Sequence, residues 1–445
     1  MESARQIAFK ALRKIQNDKG FSNIVINNSL NTKALSGKDR AFVTALVYGV
    51  VERLLTLDFI IEANSSKKIK NIEPDVLTIL RMGVYQLYYM RSVTESAAVN
   101  ESVELAKKSG LSRASGFINA ILRSCIRNVD LDKMIDDIKS PEKRLSIKYS
   151  CPSWLVEMWL GQYGIEKTSA FLERSVGKPP VYIRANSLLI DEATLVEKLA
   201  EENISAKKDE LEGCIVLDSI NDCETSQAFK NGYFHVQDKA SQLCINYADI
   251  KPFQTVLDVC SAPGGKAFTA AQYMKNQGEL LAFDLHQNRV NLIKSGAERL
   301  KITCITSECQ DATVYNDSMP KADVVLCDVV CSGFGIIRRK PEIKYKTPEE
   351  ISRLPEIQYN ILSNSSLYVK DGGTLVYSTC TVNQKENEEV VSRFINEHKD
   401  FEIVVPNKSE NKYFQNLDTG CITLFGDDNN ADGFFICKMK KVSSN

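Results

Sequence analysis

The sequence predicts a multidomain chain: an all-α helical bundle, then a small α+β segment, then a doubly wound α/β domain. Three observations carry this reading. Apolar residues recur at helical spacing through residues 1–127, as with Ile7, Ala8, Ala11, Leu12 and Ile15. A strand–helix–strand stretch follows at about 180–220. From about residue 250, short apolar runs alternate with helical stretches, the pattern of a parallel sheet covered on both faces. A chain of 445 residues is too long for one ordinary core, so two or three domains are expected.

In order, "ARQIAFKALRKIQ" reads as the first helix. "DRAFVTALVYGVVERLLTLDFIIEA" reads as one long helix capped by Asp39. "EPDVLTILRMGVYQLYYM" is apolar on most sides and reads as a central bundle helix. "ESAAVNESVELAKK" and "ASGFINAILRSCIRNV" complete a bundle of five to seven helices over 1–127. Residues 128–145 are polar and charged and read as a linker, with a helix within it as the alternative. The segment 146–245 opens with "YSCPSWLVEMWLGQYG", where Pro152 suits a helix start. It continues through strand "PVYIRAN", a helix capped by Asp191, and strand "CIVLDS". In 246–445 the strands are "TVLDVC", "ELLAFD", "ITCITS", "ADVVLCD" and "GTLVYSTC"; "FEIVV", "CITLFG" and "GFFICKMKK" form a closing antiparallel edge.

The composition, 43% hydrophobic and 25% charged, is that of a globular protein. No run of 18 apolar residues appears, and the N-terminus lacks the apolar centre of a signal peptide; a cytoplasmic protein is expected, without membrane partners. The thirteen cysteines are odd in number and include no C-x-x-C pair, so reduced thiols are expected. With only three histidines (His235, His286 and His398), no metal site is expected. The net charge of −1 gives no overall argument for nucleic acid, so any such contact rests on local basic patches.

"VLDVCSAPGGKAFTAAQYM" is a strand, a glycine turn and a helix, and ligands of doubly wound sheets bind at such strand ends. Gly264 and Gly265 allow close approach of a ligand to the backbone. Twenty residues after Gly264, Asp284 ends the next strand, placed to accept hydrogen bonds from ribose hydroxyls. The turn is neither GxGxxG nor GxxxxGK[ST], which disfavours a dinucleotide and rejects a triphosphate. A nucleoside ligand without phosphate remains, and S-adenosylmethionine fits. Asp311, after the third strand, is either a ligand of the adenine amino group or a surface turn residue.

Two cysteines end the fourth and fifth strands of this domain: Cys331 in "CDVVCSGFG" and Cys380 in "LVYSTCTVNQKENE". In this topology strands one, four and five are neighbours, so Asp328, Cys331 and Cys380 should converge beside the cofactor. Methylation of a pyrimidine carbon needs such a set. A thiolate adding at C6 makes C5 nucleophilic, and an acid such as Asp328 serves N3. Cys327, inside its strand, reads as buried.

Together "DVCSAPGGK", "CDVVCSGFGIIRRKPEIKY", "LVYSTCTVNQKENE" and "DGFFICK" resemble the RsmB/Sun/Fmu family of RNA cytosine-C5 methyltransferases acting on small-subunit (16S) ribosomal RNA. The helical part is similar to NusB-like RNA-binding domains. The resemblance implies a Rossmann-like, S-adenosylmethionine-dependent methyltransferase domain. It implies that Cys380 is the nucleophile and that Cys331 assists product release. Cys260, Ser261, Ala262, Pro263, Gly264, Gly265, Lys266, Asp284, Asp311 and Asp328 match the cofactor contacts, Asp328 with a possible second role at the base. One departure stands out: the family reads Asp-Ala-Pro-Cys where this chain has Asp328-Val329-Val330-Cys331, so no proline fixes φ before the cysteine. Beside the pocket, Arg338, Arg339, Lys340 and Lys344 are expected to hold the RNA backbone, with the target cytosine extruded from its stack. A monomer is expected. The alternatives are cytosine-C5 methylation of transfer RNA or large-subunit RNA, a non-catalytic NusB-like binding or assembly factor, and a dehydrogenase, the last disfavoured by the missing GxGxxG.

Overall fold

The computed structural model describes residues 2–18, 22–31, 35–128, 130–218, 223–406, 413–414, 418–426 and 430–442. The chain divides into two compact units: Met1–Gly177 with Ile337–Lys346, and Lys178–Ile336 with Thr347–Asn445.

The first unit is helical, as its periodicity predicts. Helices Ala4–Asp18, Gly37–Glu52, Leu54–Ala63, Pro74–Tyr89, Glu95–Lys108 and Ser115–Asn128 pack around Leu46, Val50, Ile60, Ile79, Leu80, Ile118 and Leu122. Burial of each such side chain contributes roughly 1.5–3 kcal/mol. A helix not read from the sequence, Ser22–Asn31, adds Val25, Ile26 and Leu30 to this core. The long helix expected from Asp39 is two helices, broken at Arg53 (φ −109°, ψ 16°). Its cap is Ser36, whose hydroxyl accepts the Asp39 N–H at 3.1 Å.

Helices Pro141–Tyr149 and Ser153–Arg174 belong to the helical unit. The Thr56 hydroxyl donates to the Ile147 carbonyl (2.5 Å), and the Ser150 hydroxyl accepts the Leu55 N–H (2.8 Å). The 128–145 stretch, read as a linker, holds a short helix, Leu131–Asp136, capped by Asp130.

The second unit holds two sheets. Strands β1 (Val181–Ala185), β2 (Ala206–Lys208), β3 (Cys214–Leu217) and β4 (Phe234–Val236) form an antiparallel sheet in the order β2-β3-β1-β4. The helix beside it, Glu192–Glu201, starts where Asp191 accepts the Ala193 and Thr194 N–H groups (2.9 and 3.0 Å). The larger sheet contains β5 (Thr255–Asp258), β6 (Glu279–Asp284), β7 (Ile305–Cys309), β8 (Ala322–Asp328), β9 (Val369–Thr379), β10 (Phe401–Ile403), β11 (Cys421–Leu424) and β12 (Phe434–Lys441). Its order is β10-β12-β9-β8-β5-β6-β7, with β11 paired to β12. The pairings among β5 to β9 are parallel and those of β10 to β12 antiparallel, the closing edge expected. Strand β7 starts at Ile305 rather than Ile302, because the Ile302 N–H closes the preceding helix on the Ala297 carbonyl (2.9 Å). β5, β8 and β9 are adjacent, so their carboxyl ends share one edge. No helix of the described residues is long and apolar enough to cross a membrane.

Candidate active site

The glycine turn follows β5. Gly264 has φ 107°, a left-handed conformation that favours glycine, and a Cβ there would lie 2.4 Å from the Phe268 ring. Its N–H donates to the Ser261 carbonyl (2.8 Å), and helix Gly265–Tyr273 begins next. Arg289 secures the turn from the neighbouring helix by donating to the Ala262 carbonyl (2.8 Å). Arg289 also lies 3.3 Å from Asp284 Oδ2. Asp284 is buried at the end of β6, and its Oδ1 accepts the His286 N–H (3.2 Å). A carboxylate has about four acceptor positions, so capacity for ligand hydroxyls remains.

At the base of this turn lies Asp258, a residue the sequence reading quoted but did not single out. It is fully buried; its carboxylate faces the Ser261 hydroxyl and the Cys260 N–H, in contacts short of well-formed hydrogen bonds. Burial, reinforced by the charge of Asp328, pushes Asp258 up to about 7. Incompletely satisfied polar atoms at such a depth are costly unless a ligand meets them. Its position, the last residue of the first parallel strand before a glycine turn, is the signal that could have found it.

Asp328 ends β8 and is the hub joining turn and cysteines. It pairs with Lys266 Nζ at 2.7 Å and accepts the Ser378 hydroxyl at 2.8 Å, across a register in which Asp328 faces Ser378. Lys266 also reaches Ser241 Oγ (3.3 Å) and lies 5.0 Å from the Phe434 ring centre. Burial works against its ammonium, but the Asp328 carboxylate outweighs that and moves its pKa up.

Cys331 and Cys380 meet with sulfurs 3.2 Å apart; both are half-buried and neither is in a disulfide. The two loops are tied beyond the thiols. The Ser332 and Thr381 hydroxyls share a hydrogen bond at 2.7 Å, and the Gly335 N–H donates to the Cys380 carbonyl at 2.9 Å. Gly335 must be glycine for this approach: a Cβ would lie 1.8 Å from the Gly433 carbonyl oxygen. The hydrogen bond between the two thiols lowers the Cys380 pKa against the opposing effect of burial. The Asp328 carboxylate also opposes it, and the Lys266 ammonium acts in the lowering sense, less strongly than Asp328. Cys331 is pushed well up, by that same hydrogen bond first, then by burial and the Cys380 and Glu386 charges. Of the two thiols, Cys380 is moved down and Cys331 up.

The structure thus brings Cys331, Cys380, Asp328 and Lys266 together at one sheet edge with the 260–266 turn. Asp311 is exposed and closes a local turn by accepting from the Thr313 N–H (2.9 Å) and hydroxyl (2.7 Å). Cys327 is buried, as expected for a residue inside β8. Lys344 is a correction. It was expected on the RNA backbone, but it is only 2% exposed inside the helical unit, donating to the Glu52 carbonyl (2.7 Å) and near that of Tyr149 (3.4 Å). The apolar neighbours Pro341 and Ile343 carry it inward, and burial lowers its pKa to about 8. Arg338, Arg339 and Lys340 are half-buried and engaged with other groups of the protein. Among the described residues, no group of three His, Cys, Asp or Glu side chains is placed to hold a metal ion.

Three family models match the chain. One described as "16S rRNA methyltransferase RsmB/F" covers residues 247–440, the NusB family covers 2–127, and an RsmF/B-like ferredoxin-like domain covers 151–224. The chain is 37% identical to the "Probable ribosomal RNA small subunit methyltransferase B" of Bacillus subtilis, over 99% of each sequence. It is 35% identical to the protein of that description from Synechocystis, over 99% of this chain and 100% of the relative. Among solved structures, "PH0851" superposes with a TM-score of 0.82 at 24% identity over 99% of each chain. NSun6 from Pyrococcus horikoshii, solved with SFG, superposes with a TM-score of 0.60 at 20% identity, over 66% of this chain and 99% of that one. These two likenesses concern the fold.

Proposed function

Because this chain belongs to the RsmB/F family of 16S rRNA methyltransferases, we propose that it transfers a methyl group from S-adenosylmethionine to C5 of a cytosine in small-subunit ribosomal RNA through a covalent bond between Cys380 and C6. The observation that carries this reading is the thiol pair, 3.2 Å apart, beside the Lys266–Asp328 ion pair.

The residues fit the cofactor. Asp284 suits its ribose hydroxyls. The buried Asp258 carboxylate and the Ser261 hydroxyl, whose polar atoms are incompletely satisfied, suit the polar amino-acid end, and Gly264 leaves room at the backbone. Bound there, S-adenosylmethionine supplies an electrophilic methyl group.

Cys380, its pKa lowered by the hydrogen bond to Cys331, adds as the thiolate to C6 of the cytosine, and the C5=C6 pair becomes available at C5. Asp328 approaches N3 and, with Lys266 behind it, lends a proton there on addition and takes it back when the C6–S bond breaks. After methylation the C5 proton leaves to a base, the C5–H pair restores the C5=C6 bond, and the C6–S pair returns to Cys380. The Cys331 S–H meets that returning charge. Arg338, Arg339 and Lys340 remain proposed RNA contacts, Lys344 does not, and the cytoplasm is the proposed location.

Labelled S-adenosylmethionine offered with naked small-subunit RNA, assembled subunits, large-subunit RNA and transfer RNA tests the reading. Label is expected at C5 of a cytosine in small-subunit RNA. Transfer to none of the four substrates contradicts the enzyme, and transfer to the others alone contradicts the substrate.

A further inference from the structure

Cys331 sits on a loop whose hold is not evident from its sequence. It lies three residues past the end of β8, no proline precedes it, and Val330 is 54% exposed and gives no packing anchor. Yet its sulfur stands 3.2 Å from Cys380. Something must fix the loop.

We infer that Glu386 is a positioning residue for Cys331, acting with Gln358 as a clamp on the backbone to either side of that cysteine. Glu386 is 0% exposed and lies in a short turn after the Cys380 loop. Its Oε2 accepts the Ser332 N–H at 2.8 Å and Gln358 Nε2 at 3.0 Å, and its Oε1 accepts Asn383 Nδ2 at 2.9 Å. Gln358 Nε2 also donates to the Val330 carbonyl at 2.9 Å. The carbonyl before Cys331 and the N–H after it are therefore both held, one directly and one through Gln358. The clamp is anchored in turn: the Tyr377 hydroxyl, on β9, donates to the Glu386 carbonyl at 2.6 Å. One buried carboxylate thus registers the loop of Cys331 against the strand that carries Cys380. Its charge also favours the protonated form of Cys331, the form that meets the returning Cys380 thiolate.

This inference rests on the covalent reading above and assigns Glu386 to the release half of the reaction. Release breaks C6–S, with the electron pair going to Cys380, and passes the C5 proton to a base in the site, water included. Misplacing Cys331 weakens the hydrogen bond that lowers the Cys380 pKa, so the first methyl transfer should slow modestly and release much more.

The test uses the full chain with labelled S-adenosylmethionine and small-subunit ribosomal RNA. It compares the parent, Glu386→Gln, Gln358→Met and Cys380→Ala. Glu386→Gln keeps the size but removes the charge and turns one acceptor into a donor facing donors. Its first turnover should stay within about threefold of the parent while steady-state turnover falls about tenfold, the usual consequence of losing a charged hydrogen bond. A protein–RNA adduct should accumulate on denaturing gels, and the alkaline limb of steady-state turnover should move to lower pH, because Cys331 then loses its proton more easily. A purely structural role would lower both phases together and leave that limb in place. Gln358→Met, which cuts the Val330 tether and leaves the carboxylate, should show the same pattern more weakly; it decides the matter if Glu386→Gln does not fold. Unchanged turnover, or burst and steady state falling in proportion, overturns the inference. If Cys380→Ala retains transfer, the covalent reading itself has failed; if only the Glu386 and Gln358 results fail, that reading stands.

Discussion

Cys331 and Cys380 are the same residue type, half-buried at the ends of neighbouring parallel strands, yet they are held and charged in opposite ways. Cys380 directly follows β9, whose ladder continues on both sides: Ser378 faces Asp328 of β8 and Thr379 faces Phe435 of β12. Backbone pairing alone carries it to the site. Cys331 has left its strand, and side chains hold it: Glu386 on the Ser332 N–H and Gln358 on the Val330 carbonyl. Their nearby charges differ too. At Cys380 the Lys266 ammonium and the Asp328 carboxylate oppose each other, whereas at Cys331 the Glu386 carboxylate adds to the Cys380 charge in favouring the thiol. A nucleophile placed by a ladder and a proton holder placed by a clamp can be perturbed separately.

The largest effect is expected where the ladder delivers the nucleophile. Cys380→Ala should lower methyl transfer by at least about a thousandfold, read as label incorporated into RNA, since it removes the attacking group. Lys266→Met should follow, at about a hundredfold. With the ammonium gone, Cys380 holds its proton more tightly. Activity rises as pH climbs through the pKa of the thiol, so the acidic limb of the pH–rate profile should move to higher pH; a limb that stays in place would detach Lys266 from Cys380. The smallest effect tests the clamp from the other side. Val330→Pro supplies the residue the family motif carries, but a loop already fixed by Gln358 and Glu386 gains little, so steady-state turnover should change by less than about twofold. A large gain would mean that the loop of Cys331 is loose in this chain.

The sequence made the meeting of Cys331 and Cys380 legible and the clamp illegible for the same reason. Strand alternation and the order of a doubly wound sheet are encoded locally, so β5, β8 and β9 could be read as neighbours and Cys380 placed beside the glycine turn. The Glu386–Ser332 contact joins residues 54 apart in sequence, through a side chain that reads as one more acid in a polar stretch. Lys344 failed in the opposite direction. In "RRKPEIKYK" it reads as one of a solvated basic run, and only the packing of Pro341 and Ile343 into the helical unit turns it inward. Arg53 likewise breaks a helix whose apolar pattern runs on unbroken, because periodicity reports a buried face rather than a change of direction.

The division of labour between the thiols is tested most directly with Cys331→Ala. The variant is incubated with S-adenosylmethionine and small-subunit ribosomal RNA, denatured, digested, and the peptide carrying nucleotide identified by mass spectrometry. The account predicts an adduct on Cys380, already methylated at C5 of the cytosine and unable to release. Normal turnover without adduct, or an adduct on any other cysteine, would contradict it.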